Sequence, residues 1–115
     1  MKKIYYLQTC DTCKRILRQL NLEGVDLQEI KSDPITVTQL EEMQSLASSY
    51  EALFSKRAKL YKEMDLKNQQ LNEADYKSLI LEHYTFLKRP VAIVNDQIFI
   101  GNSKNVVGQL IAALD

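Results

Sequence analysis

The two cysteines of the chain lie close together, at Cys10 and Cys13, where an apolar segment gives way to a basic one with spaced leucines. A thiol is an effective nucleophile when part of it is thiolate at neutral pH, and the N-terminus of a helix favours the thiolate. Cys10 falls at the start of a predicted helix, and Cys13 follows one turn later. This spacing is typical of an attacking thiol, Cys10, and a resolving thiol, Cys13.

The charges beside Cys10 act on its pKa in opposite directions. The carboxylate of Asp11 raises the pKa of a neighbouring thiol, whereas the cations of Lys14 and Arg15 lower it. The residue types alone therefore give no direction for the net shift, and whether Asp11 suppresses the reactivity of Cys10 stays open.

Two other interpretations of the cysteine pair remain open. Free cysteine is often simply a small buried residue, so Cys10 and Cys13 could lack any redox use. A structural zinc site needs four ligands as a rule, and the two thiols with the only histidine, His83, supply three at best. We therefore expect no bound metal and no bound cofactor.

Composition indicates an ordinary globular protein of one domain. The chain has 115 residues, of which 45% are hydrophobic and 26% charged, and its 15 basic and 15 acidic side chains cancel. A net charge of zero gives no general attraction to nucleic acid or to anionic membranes. The apolar run at residues 4–7 is too short for a signal peptide, which predicts a cytoplasmic protein whose thiols are kept reduced.

The first third of the chain reads as strand, helix, strand. Residues 2–7 are rich in aromatic and β-branched side chains, which indicates a strand. Apolar residues at near-helical spacing predict a helix over 11–22 that ends at Gly24. Residues 25–30 alternate strictly between apolar and polar side chains, as a strand with one covered face does.

The rest of the chain reads as a helical block followed by a hairpin and a last helix. Thr36 or Thr38 could cap the first helix of the block, with Thr38 close to acidic residues that suit a capping arrangement. The helical pattern continues over 50–87 with a break near 65–68. Residues 91–94 and 97–100 predict two antiparallel strands joined by a turn, and apolar residues at 106–114 predict the closing helix.

This order of elements predicts an α/β fold. The first two strands flank a helix, so they should be parallel with a right-handed crossover, and the last two should be antiparallel. The result is a thioredoxin-like mixed four-stranded sheet, β-α-β, helical insertion, β-β-α, with helices on both faces. We expect one domain over 1–115, with the helical insertion at about 35–87. A C-x-x-C after the first strand is typical of this arrangement.

Two further positions are candidates for the site. Pro90 could merely begin a strand, with Arg89 exposed before it; alternatively, the Pro90 loop faces the C-x-x-C loop and Arg89 brings positive charge to the thiolate. The basic cluster at 56–59 is by default a solvated helix face. Arg57, however, lies four residues after Leu53 and three before Leu60, on the apolar side of that predicted helix, so it could lean toward the site.

Three segments in order resemble the ArsC/Spx family of thioredoxin-like and glutaredoxin-like proteins. They are YYLQTCDTCKR at 5–15, LFSKRAKLYKEM at 53–64 and FLKRPVAIVNDQIFIG at 86–101. The resemblance covers nearly the whole chain. It implies the thioredoxin-like fold, a catalytic or sensing cysteine at Cys10 and a cis proline at Pro90.

The arsenate reductases of this family bind their oxyanion through three arginines, and the match here is partial. Arg89 corresponds to one of them, whereas Ser55 and Asn102 stand where the other two are expected. Each missing charged contact removes roughly 1.5–3 kcal/mol of binding. The resemblance therefore implies a poor arsenate reductase, unless Arg57 or Lys56 replaces the missing arginines.

The C-x-x-C and the stretch from Ser55 to Lys59 are closer to the Spx regulators, which sense disulfide stress and bind the α-subunit of RNA polymerase. A glycine of their polymerase contact corresponds to Ser49 here. We expect a thiol-disulfide oxidoreductase with glutathione, glutaredoxin or thioredoxin as electron donor. The alternatives are a redox-sensing regulator that binds RNA polymerase, with no direct contact to nucleic acid, and a glutathione-dependent arsenate reductase.

Overall fold

A computed structural model describes all 115 residues of the chain. Four strands and five α-helices follow one another in the order β1-α1-β2-α2-α3-α4-β3-β4-α5, with three short 3-10 helices inside the helical block. Their bounds are β1 Lys2–Tyr6, α1 Asp11–Arg18, β2 Asp26–Glu29, α2 Val37–Ala47, α3 Lys59–Glu63, α4 Glu73–Glu82, β3 Val91–Val94, β4 Gln97–Ile100 and α5 Lys104–Leu114.

The four strands form one mixed sheet in the order β2-β1-β3-β4. β1 pairs with β2 in parallel, from Lys3 opposite Asp26 to Tyr6 opposite Glu29. β1 is antiparallel to β3, and β3 is antiparallel to β4. The predicted thioredoxin-like sheet is confirmed, including its parallel first pair and its antiparallel hairpin.

The chain divides into two compact units, which we call the sheet unit and the helical unit. The sheet unit consists of Met1–Pro34 and Arg89–Asp115, and the helical unit is Ile35–Lys88. The bounds of the helical unit lie close to those expected for the insertion, 35–87. Both cysteines, Arg89 and Pro90 belong to the sheet unit, and Arg57 belongs to the helical unit.

In the sheet unit, one face of the sheet is covered by apolar side chains of α5 and of the segment around α1. The buried members of this cluster are Ile4, Ala92, Val94, Leu110 and Leu114, and half-buried side chains that include Leu17, Leu20 and Phe99 pack against them. β3 is buried at every residue, in agreement with its continuous apolar sequence.

The first helix is shorter than its apolar spacing predicts. α1 ends at Arg18, so the expectation of a helix that continues to Gly24 is wrong. Leu20 and Leu22 still pack against the core, but they do so from an irregular segment. Gly24 has φ of 74° and serves the turn before β2 rather than the end of the helix.

In the helical unit, α2 begins at a capping box formed by Thr36 and not by Thr38. The Thr36 hydroxyl accepts a hydrogen bond from the Gln39 N–H, and the Gln39 side chain accepts one from the Thr36 N–H. Either threonine suits the sequence pattern, and the one three residues before Gln39 forms the reciprocal pair.

The segment 50–64 is not a continuous helix, although its apolar residues recur at helical spacing. A 3-10 helix at Glu51–Leu53 ends where Phe54 becomes extended and forms a bridge with Leu87. The buried rings of Phe54 and Phe86 stack with centroids 4.9 Å apart. This aromatic cluster, which also includes Tyr61 and Tyr76, sets the local backbone in place of helical periodicity.

Candidate functional site

Cys10 lies at the N-cap of α1, directly after a turn that begins at Leu7. Its backbone is extended, with φ of −95° and ψ of 110°. The Cys10 N–H donates to the Leu7 carbonyl, with 3.1 Å between nitrogen and oxygen, and the Cys10 carbonyl accepts the first helical hydrogen bond from Lys14. The residue is half-buried and so keeps some contact with solvent.

The pKa of Cys10 lies below the ordinary value of a cysteine. Burial raises it, but this effect is outweighed by hydrogen bonds to the sulfur from the Cys13 backbone, the Cys13 thiol and the Arg89 guanidinium, and by the positive charge of Arg89. Hydrogen bonds donated to the sulfur favour the anion, because a thiolate accepts them more strongly than a neutral thiol does, and so they lower the pKa.

Cys13 has the opposite character. Its side chain is fully buried, and both cysteines are free thiols. Burial raises the pKa of Cys13, and the adjacent Cys10 thiolate raises it further. A hydrogen bond from the Leu7 backbone acts in the opposite direction, and the resulting pKa is about 11. The two thiols of one C-x-x-C are therefore driven in opposite directions, one toward the thiolate and one toward the neutral form.

Arg89 and Pro90 lie beside the cysteines in the same unit. The hydrogen bond and the charge of Arg89 act on Cys10, and its charge acts on Cys13. The Arg89–Pro90 peptide bond is cis, the form implied by the family resemblance. The Pro90 carbonyl accepts a hydrogen bond from the Gly101 N–H at 2.9 Å.

The positions expected to carry two further arginines have other contacts. The Asn102 side-chain amide donates to the Arg89 carbonyl, with 3.3 Å between nitrogen and oxygen, so it supports the backbone of the Arg89–Pro90 loop. The Ser55 N–H donates to the Phe86 carbonyl inside the helical unit.

The helical argument for Arg57 is wrong. Residues 56–58 form a turn and a bend before α3, so Arg57 does not lie on the apolar side of a helix, and its side chain is exposed. The anion-binding role of Arg57 stays a prediction. His83, the third ligand considered for zinc, makes an edge contact with the Phe86 ring at 5.7 Å between centroids. No group of three or more His, Cys, Asp or Glu side chains is arranged to hold a metal ion.

Glu29, at the end of β2, lies next to the turn that leads to Cys10, and the sequence pattern did not reveal this position. One of its carboxylate oxygens accepts a hydrogen bond from the Gln8 N–H, in the turn that leads to Cys10. In the sequence Glu29 is only the polar partner in an alternating strand. Its position could have been found from the parallel pairing of β1 and β2, because this pairing brings the carboxyl ends of both strands to one edge.

No helix in the structure has both the length and the apolar composition that crossing a membrane requires.

The chain is similar over most of its length to transcriptional regulators and to proteins of the arsenate reductase type. It is 23% identical to the global transcriptional regulator Spx 1 of Bacillus cereus over 93% of this chain and 84% of the regulator. Among solved structures, arsenate reductase from Vibrio cholerae is 20% identical, with a TM-score of 0.78 over 98% of this chain and 97% of the reductase. The protein SACOL0876 from Staphylococcus aureus is 25% identical, with a TM-score of 0.76 over 95% of this chain and 97% of that protein.

The model of the ArsC family matches residues 5–110, a range that holds both cysteines, Arg89, Pro90 and the whole helical unit. The match extends over far more than half of the chain, and the mixed sheet agrees with it. The resemblance seen in the three sequence segments is thereby confirmed, and the chain belongs to the ArsC family.

Proposed function

We propose that this protein is a thiol-disulfide oxidoreductase that uses Cys10 as nucleophile and Cys13 as resolving thiol. The observation that supports this best is the opposite character of the two cysteines. Cys10 is half-buried with a lowered pKa, and Cys13 is fully buried with a pKa of about 11. At neutral pH the accessible thiol is therefore the one with more thiolate, which is what disulfide exchange requires.

In the first step, the Cys10 thiolate attacks one sulfur of a substrate disulfide. The substrate S–S bond breaks, a mixed disulfide forms between Cys10 and one half of the substrate, and the other half leaves as a thiolate that takes a proton from solvent. Arg89 stabilises the Cys10 thiolate before the attack. We assign Arg89 and the Pro90 loop to the positioning of the substrate beside the sulfur.

In the second step, Cys13 loses its proton to solvent and attacks the Cys10 sulfur. The bond between Cys10 and the substrate sulfur breaks as the Cys10–Cys13 bond forms, and the second half of the substrate leaves as a thiolate that takes a proton from solvent. The Cys10 thiolate is one of the causes that raise the pKa of Cys13, after the larger effect of burial. Once Cys10 is in the mixed disulfide, this negative charge is gone. Cys13 therefore becomes more acidic at the stage at which it must react.

The resulting Cys10–Cys13 disulfide must be reduced to complete the cycle. Two molecules of glutathione, or the dithiol of a thioredoxin or glutaredoxin, would supply the two electrons and the two protons. Each of these donors is a thiol and would attack the sulfur of Cys10, the less buried of the two cysteines. We propose glutathione or a thioredoxin-type protein as the partner, with no cofactor held by the chain.

Arsenate fits the site less well than a disulfide does. Arg89 is the cation that acts on Cys10, and Asn102, where a second arginine is expected, donates its amide to the Arg89 carbonyl instead. A multiply charged oxyanion would therefore lack charged partners that a disulfide does not need.

The proposal is tested by turnover of a small disulfide, hydroxyethyl disulfide, with glutathione as the reductant. We expect turnover with the natural chain and a loss of at least about 100-fold in Cys10→Ser, because the nucleophile is gone. In Cys13→Ser we expect a mixed disulfide at Cys10 that accumulates when the disulfide is added without glutathione. The control is Ser103→Ala, which changes a helix cap of α5 and neither thiol.

Absence of turnover with either glutathione or thioredoxin, together with a Cys10 pKa at the ordinary value, would overturn the proposal. Arsenate in place of the disulfide tests the reductase alternative directly. Cys10-dependent arsenate turnover would assign the oxyanion as the substrate.

A redox-sensing regulator is the second candidate, and the Spx regulators that match over most of the chain favour it. The same thiol pair would form a disulfide that changes the surface presented to the α-subunit of RNA polymerase. At Ser49, where the regulators carry a glycine, the hydroxyl accepts a hydrogen bond from the Ala52 N–H and so is engaged within the helical unit.

Binding to the C-terminal domain of the polymerase α-subunit separates the two candidates. A regulator is expected to bind this domain with an affinity that differs between the dithiol and disulfide forms. An enzyme is expected to turn over disulfides and to show no such binding.

A further inference from the structure

The carboxylate of Glu29 joins two loops at the edge of the sheet where Cys10 lies. Its Oε2 accepts a hydrogen bond from the Gln8 N–H, with 2.9 Å between nitrogen and oxygen. Its Oε1 accepts hydrogen bonds from the Lys31 N–H at 3.1 Å and from the Ser32 N–H and hydroxyl, each at 2.8 Å. One oxygen therefore serves the loop after β1, and the other serves the loop after β2.

The turn before Cys10 leaves the Gln8 N–H without a partner inside the turn. The turn runs from Leu7 to Cys10 and is closed by the hydrogen bond from the Cys10 N–H to the Leu7 carbonyl. In a four-residue turn the N–H of the second residue, here Gln8, makes no bond within the turn. Glu29 supplies the acceptor.

The parallel ladder explains why Glu29 can reach this group. Tyr6 and Glu29 are the last residues paired between β1 and β2, and the Ile30 N–H donates to the Tyr6 carbonyl at 2.9 Å. Beyond Tyr6 the chain leaves the sheet. The Glu29 side chain extends the pairing past this point and so holds the backbone two residues before Cys10.

We infer that Glu29 is a positioning residue for Cys10, whose carboxylate fixes the Leu7–Cys10 turn to the loop after β2 and thereby holds the sulfur where Arg89 and the Cys13 N–H act on it. This inference rests on the proposed thiol chemistry and adds to it a residue that touches neither the sulfur nor the substrate.

A carboxylate is the side chain that this role requires. It offers two acceptor oxygens, whereas the amide of glutamine offers one oxygen and one NH₂ donor. Hydrogen bonds from the Gln8 and Ser32 backbones, which outweigh a small opposing effect of burial, keep the pKa of Glu29 below its usual value, so the group is ionised at neutral pH. In Glu29→Gln the side-chain NH₂ group must therefore face the backbone N–H groups of one of the two loops, and the hydrogen bonds to that loop are lost.

The test compares Glu29→Gln with Glu23→Gln, which makes the same chemical change at an exposed glutamate of the same unit. The pKa of Cys10 is measured from the pH dependence of its alkylation by iodoacetamide. We expect E29Q to raise this pKa by about half to one unit, which lowers the alkylation rate at pH 6.5 by about three- to tenfold, and E23Q to leave it unchanged. Glu29→Asp keeps two acceptors and should retain more of the rate than E29Q.

Hydrogen exchange of the Gln8 backbone N–H, followed by NMR, reports on its hydrogen bond to Glu29 without using the thiol. We expect exchange to be faster by about tenfold or more in E29Q than in E23Q, because the N–H has lost its acceptor. A general loss of stability would instead accelerate exchange throughout the sheet unit. If E29Q does not fold, the alkylation rate of Gln8→Pro, which removes the donor of the same hydrogen bond, replaces it and should fall by about three- to tenfold.

Gln8→Pro removes the donor and keeps a backbone angle suited to the second position of a turn. If Glu29 acts through the Gln8 N–H, adding E29Q to Gln8→Pro should change the alkylation rate by less than about twofold. A full three- to tenfold effect in this background would overturn the inference.

The two proposals fail in different ways. A natural chain whose Cys10 has an ordinary pKa and which turns over no disulfide overturns the proposed function. A natural chain with a low Cys10 pKa and active turnover, in which E29Q changes neither that pKa nor Gln8 exchange, overturns the role of Glu29 alone.

Discussion

The sheet unit and the helical unit each use a glutamate to hold the backbone of another segment. In the sheet unit, Glu29 binds the turn before Cys10. In the helical unit, Glu73 at the start of α4 accepts hydrogen bonds from the Tyr50 N–H at 2.7 Å and from the Glu51 N–H at 3.1 Å. The contacts are of the same kind, a charged acceptor on backbone donors far away in sequence.

The surroundings of these two contacts differ. The segment held by Glu29 leads to a half-buried thiol with a lowered pKa, whereas the segment held by Glu73 leads to the buried ring of Phe54. Under the proposed function, one arrangement orders the nucleophile, whereas the other orders a core. A glutamate that binds backbone N–H groups of a distant segment therefore points to a functional site only when a reactive side chain lies next to that segment.

The largest effect is expected from Phe54→Ala in the helical unit. The ring packs against Phe86 and Tyr76 with centroids 4.9 Å away in each case, so its removal leaves a cavity inside the aromatic cluster. We expect the free energy of unfolding to fall by about 3–5 kcal/mol in urea denaturation. Met64→Ala, at a residue that is 38% exposed, should change it by less than about 0.5 kcal/mol. Similar losses in both variants would contradict the account of this core.

A smaller effect is expected when the two thiols compete for an alkylating reagent. With a pKa of about 11, Cys13 is about one part in a thousand thiolate at pH 8. A cysteine of ordinary pKa is already about one part in four thiolate at this pH, and the pKa of Cys10 lies lower. Cys10 should therefore react at least about 100-fold faster in the folded protein, as measured by mass spectrometry of the alkylated peptides.

The same competition in concentrated urea is the control, because unfolding removes both the burial of Cys13 and the contacts of Cys10. The ratio of the Cys10 alkylation rate to the Cys13 alkylation rate should then fall to within a few-fold of one. A ratio near one in the folded protein would contradict the division of roles between the two cysteines.

The smallest effect is expected from Glu73→Gln, which tests the comparison directly. The glutamine can accept from one of the two N–H groups that Glu73 binds, and because Glu73 is exposed we expect a loss of only about 1 kcal/mol in unfolding free energy. Glu82→Gln, at the other end of α4, should be neutral or slightly stabilising, since it removes a negative charge from a helix C-terminus.

The alkylation rate of Cys10 distinguishes the effect of Glu73→Gln from that of Glu29→Gln. The groups that lower the pKa of Cys10 are in the sheet unit, so Glu73→Gln should leave this rate unchanged. A decrease as large as that expected for Glu29→Gln would show that the two glutamates do not have separate roles.

The sheet could be predicted from the sequence because each strand has a local signature. The alternating residues of β2 and the continuous apolar run of β3 are patterns that burial imposes directly, and the parallel or antiparallel sense followed from the intervening lengths. The cysteine pair was found for the same reason, since its spacing and its place at a helix start are both local.

The sequence-based predictions were wrong where contacts between residues distant in sequence override a local pattern. Apolar spacing predicted helix at 19–22 and at 50–58, but Leu20 packs from an irregular segment and Phe54 forms a bridge with Leu87. The argument for Arg57 depended on that helix and failed with it. Glu29 was missed because its partner Gln8 belongs to another loop, and the direction of the Cys10 pKa needed Arg89, from the other end of the chain.

The position of Arg89 has a consequence for synthesis of the chain. β1 pairs with β3, and Arg89 lies two residues before β3. The N-terminal segment therefore has neither this neighbouring strand nor its cation until the last quarter of the chain is made. A nascent chain that ends before Arg89 carries Cys10 without the guanidinium that favours its thiolate. Under the proposed function, Cys10 therefore reaches its full reactivity only after Arg89 has been synthesised.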